Sequence, residues 1–63
     1  MAINRSHIGR NVKLNELPDG YMSKDYDLTL NRRYKLVDFF GSCAVVLDNA
    51  GARAYVYAGR FQL

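Results

Sequence analysis

Apolar and polar positions alternate most clearly in the second half of the chain. Tyr34-Lys-Leu-Val-Asp-Phe-Phe40 is rich in aromatic and β-branched residues and stops at Gly41-Ser42, which predicts a strand and a turn. Cys43-Ala-Val-Val-Leu-Asp48 is a second apolar run. It is followed by Asn49-Ala50-Gly51, where Asp and Asn suit the early turn positions and glycine accepts a positive φ at the end. The spacing predicts a hairpin joined by a type I turn with a glycine bulge. Ala52-Arg-Ala-Tyr-Val-Tyr-Ala58 makes a third strand, and Gly59-Arg60 interrupts it before the short segment Phe61-Gln62-Leu63.

The first half has a weaker pattern. Asn11-Val-Lys-Leu14 alternates as a half-buried strand does, and Glu16-Leu-Pro-Asp-Gly20 supplies turn chemistry. Residues 21–33 mix Tyr21, Met22, Tyr26, Leu28 and Leu30 with charges and hold no helical period, which predicts a long structured loop. Lys24 to Arg33 has room for one or two helical turns at most. The expectation is a single all-β domain over residues 1–63, with residues 1–9 a flexible or partly ordered arm.

Alternation also divides each strand between two faces. Asp48 beside its turn belongs in water, which assigns Cys43, Val45 and Leu47 to the core and Ala44 and Val46 to the outside. On the third strand, burying Arg53 would be costly. Arg53, Tyr55 and Tyr57 therefore point outward, with Val46 expected across the hairpin, and Ala54 and Val56 point inward. On Tyr34–Phe40 neither parity is cleanly polar; a bulge near Asp38 is expected and the register stays open.

Composition supports a folded chain. Hydrophobic residues make up 49% of it, charged residues 24%, and five Tyr and three Phe are present, unlike the signature of disorder. One Cys and one His provide neither an intrachain disulfide nor a four-ligand zinc site. Hydrophobic packing must hold so short a chain, and self-association is one way to extend its core. No apolar run approaches the roughly 18 residues of a membrane span. The N-terminal residues lack a signal-peptide stretch, so a cytoplasmic protein is expected. The net charge is +3, and the whole surplus lies in residues 32–63.

The inventory for catalysis is thin. His7 and Cys43 could form a base and nucleophile, but a cysteine opening an apolar strand is expected to be a buried, inert thiol. Asp25 and Asp27 lack the third acidic partner and the glycine of a calcium loop. Gly41, Gly51 and Gly59 fall in separate turns, so no phosphate-cradling loop exists. A non-enzymatic protein with no cofactor, metal or small-molecule substrate is expected.

The order of elements has a recognisable shape: a short strand, a long loop with Pro18-Asp19-Gly20, a three-strand meander and a brief terminal strand. It resembles an SH3-like small barrel of five antiparallel strands with a long loop after the first. Tyr34-Lys-Leu-Val-Asp38, Val45-Val-Leu-Asp48 with Gly51, then Tyr55 and Arg60-Phe61 are similar to short open reading frames of tailed phages and prophages. The resemblance covers residues 28–63. It implies a small protein of the host cytoplasm that docks on and modulates another protein. The chain has no Trp and no acidic cluster beside an aromatic groove, so polyproline recognition is not implied.

Two binding readings follow. Arg53, Tyr55 and Tyr57 are residue types enriched at protein interfaces, which favours a protein partner or a homodimer. The plainer alternative is that the long loop covers this stripe, since Tyr21, Met22 and Tyr26 must pack somewhere. Arg32, Arg33, Lys35 and Arg60 are the candidate nucleic-acid contacts of the second reading, in which tyrosines supply stacking platforms. The plainer alternative there is a solvated basic edge.

Overall fold

The computed structural model describes residues 3–17 and 27–63. It is all-β. Five antiparallel strands, β1 (Asn11–Leu14), β2 (Arg33–Phe40), β3 (Cys43–Leu47), β4 (Arg53–Tyr57) and β5 (Phe61–Gln62), form one open sheet in the order β4-β3-β2-β1-β5. Helical structure among the described residues is confined to two 3-10 turns, Arg5–His7 and Ala58–Arg60. The Pro18-Asp19-Gly20 turn, Tyr21, Met22, Asp25 and Tyr26 lie outside the described residues.

The turns follow their residue chemistry. β2 and β3 are joined by Gly41-Ser42 alone, with Phe40 paired to Cys43 and Gly41 at φ 62°. A glycine at the first position of a two-residue connection gives the twist that antiparallel strands need. Between β3 and β4, the Asp48 carboxylate accepts the N–H groups of Ala50 and Ala52, both at 2.9 Å, and Gly51 takes φ 83°. The expected hairpin is therefore present, with its glycine in the left-handed region.

β2 is shared by two halves of the sheet. Its first residues pair with β1 (Val12 with Tyr34, Lys13 with Arg33), and its later ones pair with β3. The register shifts between Leu36 and Asp38, so the bulge expected near Asp38 is observed. It reconciles the ambiguous parity: Tyr34 and Leu36 face inward before it, and Phe39 packs against the core after it. A bulge bends its strand and strengthens the local twist.

Ala58–Arg60 connects β4, at one edge of the sheet, to β5, at the other. So short a link places the two edge strands over a shared core. Ala54 and Val56 of β4 accordingly meet Phe61 of β5, with Leu14, Leu36 and Val46, in one apolar core. Val12, Leu14, Leu36 and Phe61 are fully buried, each stabilising the fold by roughly 1.5–3 kcal/mol relative to exposure. No polar or charged residue is buried among the described residues. The stretch expected as an N-terminal arm takes part as well. Ile3 is buried in the core, Asn4 and His7 cap the first 3-10 turn reciprocally, and the Gly9 N–H donates to the Leu36 carbonyl.

The sides of β3 are the reverse of those expected. Ala44 and Val46 face the core; Cys43, Val45 and Leu47 lie on the other face, where Val45 is nevertheless buried as expected, and Val46 pairs with Ala54 rather than standing beside the tyrosines. The reason is local. Asp48 has already left the strand, and its side chain turns back to the amides of its own turn, so its polarity does not report which side the strand buries. Cys43 is half-buried rather than enclosed.

Candidate binding face

The outer face of β2, β3 and β4 gathers side chains that the core has no room for. Across β3 and β4, Leu47 pairs with Arg53, Val45 with Tyr55 and Cys43 with Tyr57. Across β2 and β3, Asp38 pairs with Val45 and Phe40 with Cys43. Antiparallel partners project to the same side, so these residues form one continuous surface.

Among the described residues, three aromatic rings stand on it. Tyr55 is 47% exposed, Tyr57 57% and Phe40 66%. Phe40 and Tyr55 meet edge to face, with ring centroids 6.3 Å apart. Val45, set between Asp38 and Tyr55, is only 1% exposed. A β-branched residue on the middle strand is thus removed from water while the rings around it keep exposed surface. Tyr34 and Phe61 belong to the core instead, and Phe39 is half-buried against it.

The ring of Tyr57 rests on Gly59. A Cβ built on that glycine would stand 2.5 Å from the tyrosine Cε2. The 3-10 turn therefore supplies the floor on which this exposed ring lies.

Basic residues lie at the other end of the same sheet. Arg32, Arg33 and Lys35 line a shallow cleft of about 330 Å³ together with Leu47, Asn49 and Gly51. Lys13 of β1 stands directly opposite Arg33 on the outer face. Arg60 is not part of this group. Its side chain is 16% exposed, and the guanidinium pairs with Glu16 at 3.0 Å and donates to the Leu17 carbonyl at 3.1 Å. Arg60 thus ties the β5 end to the segment after β1, and the structure separates it from the other candidate nucleic-acid contacts.

No protein-family model matches the chain, and comparison with curated proteins and with solved structures returned no significant match. The site must therefore be read from its own chemistry. No group of three metal-binding side chains occurs among the described residues, and no helix there is long and apolar enough to cross a membrane. His7, paired with Cys43 in the sequence reading, accepts the Asn4 N–H through Nδ1 at 3.0 Å and acts as a cap.

Sequence reasoning missed two members of this face. Phe40 was hidden by the undecided register of β2, although its place beside a two-residue turn pairs it with Cys43. Lys13 was read only as the polar member of a short strand, and nothing in the sequence aligns it with Arg33.

Proposed function

We propose that this chain is a non-enzymatic binding module, an SH3-like small barrel of the kind found in tailed phages, that docks on and modulates another protein. The observation that carries the docking is the outward cluster of Phe40, Tyr55 and Tyr57. Large rings in water are costly to maintain and are enriched where binding energy concentrates. The barrel reading is supported by the strand order, by the bulged β2 that serves both halves, and by the three-residue link between the edge strands.

The test is capture by the immobilised chain with and without nuclease, alongside sedimentation over a range of concentrations. A protein complex, or a dimer of the chain itself, survives nuclease and is lost in a Tyr55→Ala, Tyr57→Ala double variant. Cys43, between Phe40 and Tyr57 on this face, serves as a reporter. Its alkylation by a maleimide slows when the face is occupied.

Nucleic-acid binding is the second reading, favoured by the convergence of Arg32, Arg33 and Lys35 on one cleft. It requires an affinity that falls steeply with salt. A salt-insensitive complex unaffected by Arg32→Ala with Arg33→Ala counts against it.

A further inference from the structure

We infer that the partner of this face is an acidic polypeptide segment that carries an apolar side chain a few residues from its carboxylates. The inference rests on the docking reading above and adds the chemistry of the partner.

The first observation is a like-charge arrangement inside the sheet. Lys13 and Arg33 are cross-strand partners, and Lys35 follows two positions along β2 on the same side. Like charges directly opposite each other destabilise a sheet. An anionic ligand relieves that repulsion, so the free protein carries a cost that binding removes.

The second observation concerns what could already neutralise these cations. Among the described residues, no carboxylate forms an ion pair with Lys13, Arg32, Arg33 or Lys35. Asp48 lies in the cleft, but one of its oxygens already accepts two turn amides. The Asn49 amide is likewise committed, to Asp27 and Thr29. Guanidinium groups favour carboxylates because two parallel N–H donors match two oxygens.

The third observation is continuity. About 15 Å of strand separates Lys35 from Phe40 at the usual rise per residue, a span that an extended peptide crosses in four or five residues. Asp38 lies between them on the same face. Its Oδ1 accepts the Phe39 N–H, which leaves the second oxygen available to a peptide N–H. The same carboxylate opposes a phosphodiester strand laid along this path. The surface therefore fits a polypeptide better than a nucleic acid.

The probe is a library of random 12-residue peptides displayed on phage and selected on the immobilised full chain. Enriched peptides are expected to be net acidic, with an aromatic or aliphatic residue four to six positions from the acidic group. Their binding should weaken at least tenfold in Arg33→Glu with Lys35→Glu, and likewise in Tyr55→Ala with Tyr57→Ala. Arg33→Gln with Lys35→Gln, a milder change at exposed positions, should give a smaller loss in the same direction. Enrichment of neutral or basic peptides that depend on the tyrosines overturns the acidic assignment and leaves docking intact. No enrichment, with salt-sensitive binding of a fluorescent oligo(dT) lost in the Arg33 and Lys35 variants, overturns both.

Discussion

Tyr57 lies on Gly59, and the contact is close enough that a methyl group on the glycine would meet the ring at 2.5 Å. The backbone of Gly59 is outside the left-handed region, so alanine is sterically acceptable to the main chain there. The atom in the way is the far end of an exposed side chain, which can swing aside. Gly59→Ala should therefore displace the Tyr57 ring while changing stability by less than about 1 kcal/mol. Tyrosine ring chemical shifts would report the displacement, and urea titration the stability. A loss of several kcal/mol would show that the turn, rather than the ring, is what the glycine protects.

The assignment of β3 faces has a direct consequence for stability. Leu36 is fully buried in the core, whereas Leu47 is half-buried on the outer face. Leu36→Ala should cost roughly 2–5 kcal/mol, much of what a small domain has. Leu47→Ala should cost clearly less. Denaturant midpoints of the two variants decide the matter, and equal losses would contradict the observed parity.

Lys13 and Arg33 make a prediction of opposite sign. Replacing one of two opposed cations by an anion turns repulsion into attraction, so Lys13→Glu should stabilise the sheet by roughly 0.2–1 kcal/mol at low salt. The gain should shrink as salt is added. Thermal unfolding at two ionic strengths tests this. The same variant should bind acidic peptides less well, gaining stability while losing recognition.

The Asp48 turn depends on one carboxylate serving two amides. Asp48→Ala leaves both N–H groups without their partner, and a loss of about 1–2 kcal/mol is expected. Asp48→Asn keeps an acceptor oxygen and should recover part of it. Urea denaturation of both variants provides the comparison.

Arg60 and Glu16 differ in what their removal should do. The Glu16 side chain is largely exposed, so Glu16→Ala should cost below about 1 kcal/mol. Arg60→Ala also strands the Leu17 carbonyl and removes a mostly buried stem, and should cost more. A double-mutant cycle isolates the ion-pair share.

The strands, their turns and the inward parity of Ala54 and Val56 were legible in the sequence because each rests on local chemistry. Glycine, Asp-Asn pairs and alternation act over a few residues. The outward placement of Arg53, Tyr55 and Tyr57 came from the same logic: an arginine on a short strand fixes its face. Asp48 misled for the complementary reason. A side chain that caps its own turn satisfies itself locally and says nothing about the strand behind it.

The cross-strand relationships were beyond local reading. Phe40 reaches the aromatic face only because the bulge between Leu36 and Asp38 shifts the register of β2. Lys13 meets Arg33 through a pairing of residues twenty positions apart in the chain. Arg60 is drawn from the basic surplus into a tie with Glu16 and Leu17 because the last strand returns beside the first. Alternation and turn residues thus determined which residues form strands, and a single Cys and a single His that hydrophobic packing must hold them. The tertiary structure decided which of the exposed residues share a surface, since register and strand order are properties of the whole sheet.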